Sequence, residues 1–249
     1  MKKRLLFLLF CMALLLGTSP VPKAPAIYLI GDSTMADKPG TPEENPERGW
    51  GQLLPERVKE GVAVRNHAVN GRSSKSFISE GRWDAVVNAL QKGDYVFIQF
   101  GHNDQKDQDS TRYTNPWSSY RHNLEKFVAE TRAKGAFPVL LSSIVRRNFN
   151  DKGVLIDTHG AYPFVARQVA LENRVPFIDM QLMTEAYIAA LGPEPSREIY
   201  LWTTPGQYAR FPDGAKDNTH LSLKGARTFA GLVAAEIKRL RLPLATWLK

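Results

Sequence analysis

Short apolar runs recur along this chain at residues 27–30, 63–67, 95–100, 138–142 and 176–178. These runs suit buried parallel strands. Between them lie stretches with helical spacing. Leu53, Leu54 and Val58 mark the first, and Trp83, Val86, Val87 and Leu90 the second. Tyr120, Leu124, Phe127 and Val128 form a third stripe, closed by Gly135 as a helix stop. Phe164, Val165, Val169 and Leu171 suggest a fourth, and Leu223, Ala226, Phe229, Leu232, Val233 and Ile237 a long terminal helix. Strands alternating with helices are expected to give an α/β fold, a three-layer sandwich around a parallel sheet. Residues 105–116, 146–158 and 192–216 break the pattern; rich in Asp, Asn, Pro and Gly, they read as loops. Loops of this length in a compact domain usually carry function.

The N-terminus is expected to lie outside this fold. Lys2, Lys3 and Arg4 precede an unbroken apolar run at residues 5–16, followed by small and turn-forming residues at 17–20. That is the layout of a secretory signal peptide, here residues 1–19. A span of twelve residues falls short of the roughly 20 needed to cross a bilayer. The expectation is therefore an exported protein, periplasmic or extracellular, with no membrane attachment after cleavage; a retained anchor is the alternative. Residues 20–249 would form a single domain, since no repeat, low-complexity tract or linker divides them. Cys11 is the only cysteine and lies in the apolar run. Its removal would leave no disulfide, thiolate metal site or cysteine nucleophile.

The formal charge is +8; without Lys2, Lys3 and Arg4, 30 basic residues face 25 acidic ones, or +5. No Lys/Arg-rich arm is present, so nucleic acid is not an expected partner. A mild positive excess suits an acidic substrate through long-range attraction, and equally suits an ordinary solvated surface.

Four polar clusters fall at or near the ends of the expected elements. They are Gly31-Asp32-Ser33-Thr34, Asn70-Gly71-Arg72-Ser73-Ser74, Gly101-His102-Asn103-Asp104 and Asp217-Asn218-Thr219-His220. Ligands of open α/β sheets bind beyond the carboxyl ends of the strands. Acyl transfer needs a nucleophile, a base, a group that orients the base, and donors for the developing oxyanion. Ser33 can supply the hydroxyl and His220 the base, with Asp217 three residues earlier folded back toward the imidazole. The main-chain N–H groups of Ser33 and Gly71 and the side-chain amide of Asn103 can form the oxyanion hole. Glycine at 71 is expected because a side chain there would obstruct close approach. Asp32 reads better as a cap for the Ser33 turn than as a catalytic group. Arg72 could bind a carboxylate and Trp202 could stack on a sugar ring; Lys75 reads as a surface residue and Trp83 as core. His67, His102, His122 and His159 stand singly, so no metal site is expected. No glycine-rich nucleotide loop appears, and no cofactor is expected.

In this order, the four clusters resemble the sequence blocks of the SGNH (GDSL) hydrolases, with Ser33, Gly71, Asn103 and His220 at the signature positions. The resemblance covers nearly the whole chain beyond residue 19 and implies a flavodoxin-like five-stranded parallel sheet. The Gly-x-Ser-x-Gly elbow of the common α/β-hydrolases is absent. More narrowly, Gly31-Asp32-Ser33-Thr34-Met35-Ala36, Gly71-Arg72-Ser73-Ser74 and Asp217-Asn218-Thr219-His220-Leu221 look like rhamnogalacturonan acetylesterases. That resemblance implies a carbohydrate esterase acting on an acetylated, acidic polysaccharide or oligosaccharide of pectin. The alternatives are an esterase or lipase acting on other acetylated carbohydrates or small esters, and a polysaccharide-binding protein on a hydrolase fold.

Overall fold

The computed structural model describes residues 24–249; the expected signal peptide, residues 1–19, lies outside the described residues. Eight strands are formed: β1 (Ile27–Gly31), β2 (Glu47–Arg48), β3 (Val64–Asn66), β4 (Tyr95–Gln99), β5 (Phe137–Leu141), β6 (Phe177–Ile178), β7 (Tyr200–Thr203) and β8 (Ala215–Ser222). The helices are α1 (Trp50–Leu53), α2 (Ser74–Ser79), α3 (Arg82–Ala89), α4 (Arg121–Ala133), α5 (Tyr162–Glu172), α6 (Met180–Leu191) and α7 (Leu223–Arg239). The main sheet has five strands in the order β3-β1-β4-β5-β6, and every pairing in it is parallel.

Side-chain alternation divides the core into the two halves of a three-layer sandwich. Ile27, Leu29, Phe97, Val139 and Leu141 pack with Leu53, Ile188, Phe229 and Val233 from α1, α6 and α7. Tyr28, Ile30, Val96, Ile98 and Leu140 face the other way, onto Phe77, Val86, Phe127 and Val169 from α2 to α5. A strand covered on both faces has no solvent side, so it reads as an unbroken apolar run. The chain leaves β1 to build β3 on one flank, then returns to build β4 on the other. The crevice this reversal opens lies beyond the carboxyl ends of β1 and β4.

The expected strands lie where the sequence places them. Several helical expectations need correction. The stripe at Leu53, Leu54 and Val58 is not one helix: α1 stops at Leu53, residues Leu54–Arg57 form a single 3-10 turn containing Pro55, and Val58 is extended. Proline has no N–H to continue an α-helical ladder. In α5 the buried side is Tyr162, Val165, Ala166, Val169 and Ala170, while Phe164 and Leu171 are 52% and 64% exposed. Helix α6, which begins where Asp179 accepts from the Leu182 N–H, is an addition to the sequence reading. Residues 192–216 are not irregular throughout. They include a 3-10 turn at Pro195–Ile199, all of β7 and the start of β8.

Strands β7 and β8, with β2, form a second, antiparallel sheet in the order β2-β8-β7. Its junction with α7 is tightly made. Ser222 accepts from the Gly225 N–H at 3.1 Å and donates its hydroxyl to the Glu198 carbonyl at 2.6 Å. A Cβ added at Gly225 would fall 1.9 Å from the Ile199 carbonyl oxygen. Gly225→Ala must therefore push α7 away from the 195–199 turn. Overpacking of this kind costs about 1–3 kcal/mol. Urea unfolding should show a lower midpoint with an unchanged slope; a midpoint equal to wild type would contradict this packing.

Candidate active site

Strand β1 ends at Gly31, and the next turn is built around Asp32. Its carboxylate is fully buried and accepts from the Thr34 N–H at 2.9 Å and the Thr34 hydroxyl at 2.8 Å. The other oxygen faces His102 Nδ1 at 3.3 Å. Burial pushes the pKa of His102 down, while the Asp32 carboxylate beside Nδ1 pulls it the other way. Beneath this turn, Trp50 donates to the Gln99 side chain at 2.9 Å, and Gln99 donates to the Thr34 hydroxyl at 2.8 Å. The turn is thereby tied to β4, and Ser33 is held at its crest, 8% exposed.

Ser33 Oγ lies 2.9 Å from His220 Nε2, and His220 Nδ1 lies 2.6 Å from Asp217 Oδ2. The second Asp217 oxygen accepts from the N–H groups of Thr219 at 2.7 Å and His220 at 2.9 Å. Burial opposes charge on Asp217, yet the hydrogen bonds and attraction from His220 win and hold its pKa at about 2. With the carboxylate at Nδ1, the imidazole proton sits there, leaving the Nε2 lone pair for the serine hydroxyl. A break in the β7–β8 ladder makes this possible. Tyr200 pairs with Leu221 and Trp202 with Lys216, so two steps along β7 face five along β8. The surplus is Asp217 to His220, a bulge that swings the pair out toward β1.

The loop after β3 supplies Gly71, whose φ is +76°. A Cβ there would meet only an Arg112 nitrogen at 3.7 Å, so the left-handed backbone, not crowding, requires glycine. Asn103 donates through Nδ2 to the Arg72 carbonyl at 3.1 Å, which brings the Gly71–Arg72 turn against the β4 cluster. Asp104 reinforces this link by accepting from the Ser74 N–H and hydroxyl and from the Thr114 hydroxyl. Burial raises the Asp104 pKa to about 6, while those hydrogen bonds pull it the other way. On the far side, buried Lys38 donates to Asn70 Oδ1 at 2.6 Å and pairs with Glu47 at 2.7 Å.

Ser33, Asn103, Asp217 and His220 open onto one cleft of about 210 Å³, also lined by His102, Lys106, Arg146 and Thr219. A larger hollow of about 1020 Å³, bordered by Pro42, Arg57, Glu198 and Arg227, lies away from Ser33. Arg72 and Trp202, the expected substrate-binding residues, do not line the cleft. Arg72 pairs with Glu80 at 3.0 Å and donates to the Asn70 carbonyl. Trp202 lies between the guanidinium groups of Arg147 and Arg197, 4.9 and 4.4 Å from its ring centre, and donates to Asn218 in the bulge. The sequence reading missed Lys106 and Arg146. Both occur in segments it marked as irregular, just after β4 and β5, where strand-end position was the available signal.

The chain is 44% identical to the rhamnogalacturonan acetylesterase RhgT of Bacillus subtilis (strain 168), over 88% of this chain and 91% of that protein. It is 36% identical to YesY of the same organism, a probable rhamnogalacturonan acetylesterase, over 88% of this chain and 94% of that one. The crystal structure of YxiM from Bacillus subtilis superposes with a TM-score of 0.73 at 25% identity. That superposition covers 88% of this chain but only 58% of YxiM, so the chain spans less than two thirds of that protein. Residues 29–228 match the model of the GDSL-like lipase/acylhydrolases, and the chain belongs to that family.

Proposed function

We propose that the chain is an exported serine esterase that removes acetyl groups from a pectic polysaccharide, rhamnogalacturonan in particular. The observation that carries the reaction is the hydrogen-bonded series Ser33–His220–Asp217 opening onto a small polar cleft. Ser33 Oγ attacks the acetyl carbonyl while His220 Nε2 takes its proton, and Asp217 stabilises the imidazolium that results. The oxyanion is received by the N–H groups of Ser33 and Gly71 and by the Asn103 amide. One hydrogen of that amide is engaged by the Arg72 carbonyl, which aims the other toward the cleft. His220 then protonates the departing sugar oxygen, and water activated by the same imidazole releases acetate from Ser33.

The substrate assignment draws on the similarity to RhgT, a rhamnogalacturonan acetylesterase, and YesY, a probable one, and on the cleft itself. At about 210 Å³ the cleft is smaller than the roughly 300–1,000 Å³ common for small-molecule pockets, and every residue lining it is of a polar or charged type. It suits an acetyl group better than a long acyl chain, which disfavours a lipase. A pure binding role would need no serine aligned with a base. The basic start and apolar run at residues 2–16 support export.

Ser33→Ala should lower turnover by roughly 10³-fold or more with the fold intact. Asn103→Ala should lower kcat by about 10²–10³-fold with a smaller change in KM. Near wild-type turnover by a folded Ser33→Ala protein would refute the mechanism. A raised KM with kcat unchanged would make Asn103 a binding residue instead. Acetate release measured in parallel on acetylated rhamnogalacturonan, acetylated xylan and an aryl acetate tests the substrate. Rhamnogalacturonan should be preferred, whereas a preference for xylan would contradict the pectic assignment and leave the esterase.

A further inference from the structure

We infer that Lys106 and Arg146 form a receptor for the carboxylate of a uronic-acid residue adjoining the acetylated sugar. The inference rests on the esterase reading above and assigns its substrate recognition to particular residues. Both side chains line the same cleft as Ser33 and His220. Lys106 follows β4 and its backbone N–H donates to the Asn103 carbonyl at 3.3 Å; Arg146 follows β5, the neighbouring strand. The two cations thus reach the cleft from adjacent strand ends, beside the proposed oxyanion hole.

Neither is neutralised by the protein. Three other cations near the site have acidic partners: Lys38 has Glu47, Arg72 has Glu80 and Arg112 has Asp109. Arg147, which does not line the cleft, is taken up by Ser196, Asn218 and the Pro193 carbonyl. Among the described residues, neither Lys106 nor Arg146 has a carboxylate within ion-pair distance, and the Lys106 ammonium makes no hydrogen bond. The acids that influence them are engaged elsewhere. Asp32 serves Thr34 and His102, Asp109 serves Arg112 and Thr111, and Asp157 accepts from the N–H groups of His159 and Gly160. Arg146 is held in place by neutral acceptors only: the Thr158 carbonyl at 3.2 Å, the Thr158 hydroxyl at 3.1 Å and the His102 carbonyl at 3.4 Å. Those contacts fix its direction and leave its charge without a direct ion-pair partner, under only the more distant pull of Asp32 and Asp157.

The consequence is a strip of crowded positive charge. Burial, followed by repulsion from Arg112 and Arg146, pushes the Lys106 pKa below its ordinary value; burial does the same for Arg146. An anion bridging the two would relieve both effects, and a carboxylate can accept charge-assisted hydrogen bonds from a guanidinium and an ammonium at once. The anion must lie within one sugar of the ester, because the cations line the cleft that holds the nucleophile. An acetylated chain containing uronic acid meets that requirement, and a neutral acetylated chain does not.

The test compares acetylated rhamnogalacturonan oligosaccharides bearing free carboxylates with the same oligosaccharides after methyl esterification of those carboxylates. Acetate release is followed for wild type, Lys106→Gln and Arg146→Gln. Wild type should favour the free acid by about 10-fold or more in kcat/KM, mainly through KM, the scale of a hydrogen bond to a charged group. Added salt should shrink the preference, and each variant should lose most of it. Arg146 also braces Thr158; if its variant fails to fold, Lys106→Gln still carries the test. Equal wild-type activity on the two forms, or a preference kept by the variants, would overturn the receptor while leaving the esterase reading intact. Acetate release from neither form by wild type would overturn both.

Discussion

The carboxylate of Asp32 is the fixed point on which the working end of this molecule depends. It is fully buried, and an ion taken out of water is tolerated only where hydrogen bonds and opposing dipoles replace its hydration. Thr34 meets that demand from within the turn and His102 from across the sheet. The line from Trp50 through Gln99 to Thr34 extends the network beneath β1 and β4. Since Asp32 immediately precedes Ser33, whatever anchors the carboxylate also aims the hydroxyl. No hydrogen bond runs from Asp32 to Ser33 or His220, so its contacts are those of a cap and anchor.

A parallel sheet supplies only part of such a site. Ser33, Gly71 and Asn103 come from loops at the carboxyl ends of β1, β3 and β4, and the base arrives from a separate antiparallel ribbon. The bulge that projects Asp217 and His220 is secured from behind. Arg147 donates to Asn218 Oδ1 at 3.0 Å and to the Ser196 hydroxyl at 3.0 Å, and the Trp202 indole donates to the same Asn218 oxygen at 2.9 Å. Trp202 is tied to the bulge through its N–H, and its ring carries the guanidinium groups of Arg147 and Arg197. Two residues after His220, the Ser222 cap and the contact made by Gly225 lock the ribbon to α7.

The middle of the central sheet was legible in the sequence because β1, β4 and most of β5 are buried on both faces and leave largely apolar runs, whereas the edge strand β3 is only partly buried. In the second sheet β7 carries the apolar run Tyr200-Leu201-Trp202, but its other two strands left no such mark. Strand β8 reads Ala-Lys-Asp-Asn-Thr-His-Leu-Ser, with Leu221 its single buried residue, and β2 is two residues long. Helix α5 shows a subtler failure. Phe164 and Leu171 look like parts of an apolar stripe, but small Ala166 and Ala170 make the contact and the larger residues face outward. At the site, the four polar clusters were visible as clusters because each is contiguous in the chain. Arg72 and Trp202 have the chemistry to bind an acidic sugar, but Glu80, Arg147 and Arg197 already occupy them. What distinguishes Lys106 and Arg146 is that they line the cleft of Ser33 without an acidic partner among the described residues, a property of packing that no local motif records.

If acetyl transfer passes through Ser33, the serine carries the acetyl group for part of each turnover. Rapid acid quenching during turnover of an aryl acetate, followed by peptide mass analysis, would capture it. One added acetyl group per chain is expected on the peptide carrying Ser33, appearing before steady state and vanishing once substrate is exhausted. A stoichiometric acetyl group on a different residue, or its absence when release of the aryl group shows a burst, would contradict transfer through Ser33.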